Sequence, residues 1–493
     1  MTTTTRRGFL RGLLQPPFSQ SLPVVMVGGK TAVSADPIHH LLNRISWGPR
    51  PGEVAQAQAV GYAATLESQL DPDSIDDSEA EARLADIPIL HLSRHDIYRL
   101  ENDYRVWQML LRGMIARAVT SRRQLLERMV EFWSDHFNIS AEGFANEYVA
   151  FQRDVVRPHA LGSFRDLLIE TAKSPAMLQY LDNYVNLAEH PNENYARELL
   201  ELHTLGVDGG YTETDVKEVA RAFTGWTVAN KTRTGFYFEP YNHDTGMKRV
   251  LGHTLPTDRG IEDGLQVLSI LASHPSTAVF LSRKLCVRFV SDNPPDSLVA
   301  AVTAVWQQTQ GDIKAVLRAI FLSDEFLQSA GQKLRRPLDF FIGALRATGT
   351  EIRYQWLLEE MLNELGQPPY GWHPPNGYPD VAGAWSSSGG LLARWNVAMR
   401  LTHGAYSDSQ DFGYGLATPL RERIGEPQTA GELVDAVAAQ VFGVPLAGSD
   451  RAAFVEYVAE GGGEETAVSP RLLGRKLGSL YGLMLASPQY QWR

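Results

Sequence analysis

Pro191-Asn-Glu-Asn-Tyr-Ala-Arg-Glu-Leu-Leu-Glu-Leu-His-Thr-Leu-Gly206 is the stretch on which the reading of this chain turns. Laid on a wheel at roughly 100° per residue, 194–205 is an amphipathic helix. Tyr195, Leu199, Leu200 and Leu202 make the apolar arc with His203 inside it, while Asn194, Arg197, Glu198 and Glu201 form the polar face. Glu198 and Glu201 have the spacing of a catalytic or di-metal pair. In a regular helix, however, His203 points away from them, and the Glu-x-x-His pattern of di-iron bundles is absent.

Working outward, helical patterns dominate. They run over 39–46, 53–70, the dense stretch 103–228, 260–349, 430–440 and 471–486, with breaks at Pro51-Gly52, Pro158, Pro175 and Pro191. Between 228 and 252 the pattern changes to Thr, Tyr, Phe and Gly with partial alternation, which predicts one short β-hairpin or extended insertion near 231–252. The expected fold is all-α: a large multi-helix globular protein with residues 36–493 as one helical domain and its core motifs in 103–252. No solenoid repeat is present.

Composition narrows the chemistry. The chain has 493 residues, 44% hydrophobic and 21% charged, with a formal net charge of −11. That balance argues against a broad nucleic-acid footprint, which needs a basic face. Cys286 is the sole cysteine, so neither an intrachain disulfide nor a thiolate zinc site can be built. A divalent metal, if used, would have to be held by His, Asp and Glu. Phosphate-binding, nucleophile-elbow, His-Glu-x-x-His and dinucleotide fingerprints are all missing.

Thr5-Arg6-Arg7-Gly8-Phe9-Leu10-Arg11 matches a twin-arginine export motif, and 1–35 reads as a leader with small residues near Ala35 for cleavage. The apolar run after it is interrupted by Pro16, Pro17 and Pro23, so a basic leader with an accidental Arg-Arg pair is the competing reading. Export would place the protein in the periplasm or outside the cell; the alternative is cytoplasmic. No apolar run is long enough for a transmembrane segment.

Ordered blocks carry a family resemblance: His40-Leu-Leu-Asn-Arg, Trp47-Gly-Pro-Arg-Pro-Gly-Glu, Glu131-Phe-Trp-Ser-Asp-His136-Phe, Pro175-Ala-Met-Leu-Gln-Tyr-Leu-Asp-Asn183, the 191–206 string, Ala222-Phe-Thr-Gly-Trp226, Gly371-Trp372 and Ser487-Pro-Gln-Tyr-Gln-Trp492. Together they resemble the bacterial family called "domain of unknown function 1800" over nearly the whole chain. Ser134-Asp135 departs from it, since the family commonly shows His-Asn there. The resemblance implies fold and kinship, no reaction, and a partner in an exported sulfatase-like protein found beside family members.

The wheels also supply candidate site residues. In 125–137, Leu125, Met129, Phe132, Trp133 and Phe137 share an arc with His136, and Glu127, Arg128, Glu131 and Asp135 make an opposite polar stripe, solvated or domain-facing. His136 and His203 are therefore either core histidines or parts of a shared site with His243 and Asp244, with Glu198 and Glu201 as lower-ranked acids. His243-Asp244 is otherwise an Asx-type turn. Trp372, His373 and Tyr378, in a loop rich in Pro and aromatics, are ligand-platform candidates or buried packing. Thr212 and Asp215 read as a capping box. This equipment suits an exported hydrolase or lyase with a His/carboxylate site; the alternative is a non-catalytic binding or scaffold protein working with the sulfatase-like partner.

Overall fold

The computed structural model describes residues 36–100, 102–229, 235–403 and 416–493; the expected leader, 1–35, lies outside them. Helices account for nearly all the regular structure, and the strands form only two-stranded pairs. The fold is all-α with small β additions. Among the described residues no single helix is long and apolar enough to cross a membrane.

Local chemistry sets many helix starts. Asp36 caps Pro37–Ile45 by accepting from the amide of Ile38 at 2.9 Å. The Thr212/Asp215 capping box forms, Thr212 N donating to Asp215 at 2.9 Å and Asp215 N to Thr212 Oγ1 at 3.2 Å. The segment expected to hold one hairpin holds two. Trp226–Val228 pairs with Phe236–Phe238, and Lys248–Val250 with His253–Leu255. The second turns through Leu251 (φ 48°) and Gly252 (φ 82°), both left-handed as a two-residue hairpin turn requires.

Two buried apolar clusters organise the helices. The first contains Leu125, Met129, Phe132, Trp133, Leu199, Leu200, Leu285 and Phe289. The second is built from Pro337–Thr348, Gln355–Glu364, Ala430–Phe442 and Pro470–Ala486. The Asp103–Thr120 helix serves both: Val106 and Leu110 enter the first cluster, and Leu111, Ile115 and Ala118 the second. Each fully buried large side chain contributes about 1.5–3 kcal/mol, so this shared helix ties the two clusters together.

Candidate functional site

The Gln124–His136 helix puts its apolar arc into the first cluster as the wheel predicts. Its polar stripe is not solvated. Arg128 is fully buried, and Glu127 and Glu131 are nearly so. The stripe faces Arg288 of the Pro275–Phe289 helix and Arg336 and Asp339 at the start of Pro337–Thr348, which supply counter-charges from more than 150 residues away.

Those charges form one connected network. Asp339 takes Arg128, Arg493 at 2.9 Å and Arg336 at 3.6 Å. Arg336 also holds Glu131 at 2.5 Å and Asp135 at 3.0 Å, while Arg288 holds Glu131 at 2.8 Å and Asp380 at 3.1 Å. Lys333 joins Asp380 at 3.2 Å to Asp292 at 2.7 Å. Buried charges persist only when paired in this way.

Within the network two carboxyls one helical turn apart are driven in opposite directions. Burial raises Glu131, but Arg288, Arg336 and Arg128 outweigh it and hold the group below its ordinary value. Burial and the adjacent Glu131 charge push Asp135 up to about 7 against the pull of Arg336 and Arg288. A carboxyl that titrates near 7 thus sits beside one held ionised, the kind of split found where carboxylates do acid–base work.

Both acids face a small, partly open cavity of about 50 Å³, room for several water-sized groups. Arg117 and Met114 of Asp103–Thr120, Tyr148, Gln152, and Tyr370 and Tyr378 of the aromatic loop close it. Glu127, also on its wall, is taken bidentately by Arg157 at 2.7 and 2.8 Å. Gln152 donates to Ser134 Oγ at 2.7 Å and to the Tyr148 hydroxyl at 2.9 Å. Arg117 has no hydrogen bond or ion pair to its guanidinium among the described residues, and burial next to Arg157 lowers it to about 10. A cation, a carboxyl raised to about 7 and a phenol therefore converge on one small space.

The aromatic loop is strapped to the segment that follows the Gln124–His136 helix. Asn138 donates to the carbonyls of Trp372 at 2.9 Å and Pro374 at 2.7 Å, and Ala141 N to Tyr370 O at 2.9 Å. Tyr378 reaches the cavity wall and donates to Pro368 O at 2.8 Å. Trp372 packs against Tyr378 with ring centroids 4.8 Å apart and planes tilted by 47° but does not line the cavity, and His373 is exposed beside Glu142 at 3.2 Å.

His136 and His203 do come together, their ring centroids 6.1 Å apart in the first cluster. The Asn194–Glu198 helix continues as a π-turn over Leu199–Thr204, closed by Leu205 N donating to Leu200 O. One extra residue per turn rotates the residues beyond it by roughly 100° relative to a regular helix, so the regular wheel does not hold to its end. His136 is committed at both nitrogens: Nε2–H donates to His203 O at 3.1 Å, and Nδ1 accepts from the Lys284 ammonium at 3.0 Å. Burial and Lys284 hold His136 far below its ordinary value and bring His203 down to about 3, and burial lowers Lys284 to about 8. Glu198 is buried near Tyr180, and Glu201 accepts from Tyr211 at 3.2 Å.

His243 and Asp244 belong to a different constellation. His243 Nδ1–H donates to Thr224 O at 2.8 Å, with Nε2 3.5 Å from Asp263. Asp244 accepts from Gly246 N at 2.8 Å, an Asx-type turn, and from Arg221 at 2.7 and 3.1 Å. Among the described residues no three His, Cys, Asp or Glu side chains gather as a metal site. The wheel of 125–137 marked the carboxylates of the cavity only as a polar stripe. What it lacked was the distant arginines.

No curated protein and no solved structure matches the chain. Residues 40–492 match the sequence model described as "Protein of unknown function (DUF1800)". With the match running over nearly its whole length, the chain belongs to the DUF1800 family.

Proposed function

We propose that the cavity beside Glu131 and Asp135 is the active site of an acid–base enzyme of the hydrolase or lyase class, acting on a small substrate that carries a carboxylate or similar anion. The observation that carries this is the convergence of Arg117, which has no partner among the described residues, with the two carboxyls on one small space. Arg117 anchors the anionic group, and Asp135 is the proton donor. Glu131, locked by two guanidiniums, stays ionised and keeps Asp135 protonated near neutral pH. Tyr148 accepts from Gln152, which leaves its own proton to donate into the cavity. The histidines move from candidate catalysts to supports: His136 and His203 pack the buried face of the same helix. The Arg6-Arg7 leader extends the proposal to a site working outside the cytoplasm.

The test is calorimetric titration of short mono- and dicarboxylates, with succinate as reference probe, alongside a hydrolysis and elimination screen on carboxylate-bearing substrates. Binding to the wild type that weakens about tenfold or more in Arg117→Ala, and turnover that is lost in Asp135→Asn while binding persists, is the expected result. If no carboxylate binds, or Arg117→Ala binds as the wild type does, the reading is overturned.

A further inference from the structure

The Asp103–Thr120 helix has the small cavity on one side and a wider groove of about 600 Å³ on the other. That volume is within the ~300–1,000 Å³ of small-ligand sites. In a chain of net charge −11, the groove is lined by six arginines, Arg50, Arg83, Arg112, Arg346, Arg353 and Arg423, against three carboxylates.

Half of those guanidiniums are already used. Arg346 donates to Gly48 O, Val119 O and Glu53. Arg50 is held by Val119 O and Glu79, and Arg83 by Glu351 at 2.9 Å. The others are in surplus: Arg112 and Arg353 have no partner among the described residues, and Arg423 donates only to Ala347 O at 3.2 Å. Gly349, at φ 67°, makes room for Arg423, because a Cβ there would overlap its guanidinium. Tyr354 stands at the rim, 49% exposed, with its ring stacked on Trp356 at 14°. A planar cation presents paired donors to carboxylate, phosphate and sulfate alike, and an exposed ring gives a flat face to stack on.

We propose that this groove is a binding site for a small oligoanion, a molecule bearing two or more carboxylate, phosphate or sulfate groups, held by Arg112, Arg353 and Arg423. The site is confined, and the acidic chain around it repels a long polyanion, so a nucleic acid fits less well.

Calorimetry at low salt with inositol hexakisphosphate, trigalacturonate and sucrose octasulfate tests the three anion chemistries separately. At least one binds, its affinity falls as salt is added, and Arg112→Ala/Arg353→Ala weakens it by about tenfold or more. Arg475→Ala, an exposed arginine paired with Glu460, leaves binding unchanged and controls for overall charge. Both groove arginines are exposed and have no partner among the described residues, so the double variant keeps its melting temperature; Arg112→Gln alone repeats the test in milder form. Three results overturn the proposal: no probe binds, the groove and control variants weaken binding equally, or a single-stranded oligonucleotide displaces every small probe.

Discussion

Gly377 lies directly against the backbone carbonyl of Asp135. Its φ of 70° and its lack of a side chain let the aromatic loop cross the last turn of the Gln124–His136 helix, where a Cβ would overlap that carbonyl oxygen. The contact fixes Tyr370 and Tyr378 over the carboxyl proposed to donate a proton. Gly377→Ala adds both the overlap and a left-handed strain, and is expected to lower stability by more than about 2 kcal/mol in urea denaturation. Gly383→Ala, in the same loop with open space around it, should change stability by less than about 0.5 kcal/mol. Equal effects at the two positions would refute the clamp.

Arg336 joins Glu131, Asp135 and Asp339. Arg336→Gln leaves buried carboxylates short of a counter-charge, and breaking one side of such a pair costs about 3–5 kcal/mol. Denaturant unfolding monitored by tryptophan fluorescence should show that loss. A change under about 1 kcal/mol would mean that the network relaxes around the gap.

Lys284 donates to the only ring nitrogen of His136 that lacks a proton, and its charge opposes protonation of that ring. In Lys284→Met the imidazole pKa moves up toward its ordinary value, tracked by proton NMR titration of the ring signals. A His136 resonance that titrates as in the wild type would show that burial alone sets its value.

How much of this is legible in the sequence depends on distance along the chain. The capping box at Thr212 and Asp215 needs only four consecutive residues, and those four announce it. The inward placement of His136 needs only helical periodicity; His203 is buried as well, but it lies within the π-turn, where the regular wheel no longer applies. The roles of Glu131 and Asp135 depend on Arg288, Arg336 and Asp339, supplied by other elements, so a wheel shows charges but not what neutralises them. Nothing local marks the π-turn at Leu199–Thr204, and Leu251-Gly252 lacks the Asn or Asp that usually announces a left-handed turn.

The opposed shifts of Asp135 and His203 make the pH dependence of stability a direct probe of the site. Asp135 titrates near 7 in the folded chain and near an ordinary carboxyl value when unfolded. The folded state therefore binds more protons between about pH 4 and 7, and this group's contribution falls as pH rises. His203, brought down to about 3 by burial, does the reverse: its contribution grows from about pH 3 to 6.5, and His136 acts in the same sense. In the wild type the falling carboxyl term offsets part of the rising imidazole terms. Asp135→Asn removes the falling one, so between about pH 4.5 and 6.5 its stability should climb more steeply than that of the wild type, by up to about 1.4 kcal/mol per pH unit. His203→Gln should flatten the same curve. Urea midpoints across that range measure both slopes, and parallel curves for Asp135→Asn and the wild type would show that Asp135 titrates as an ordinary carboxylate and is no proton donor at neutral pH.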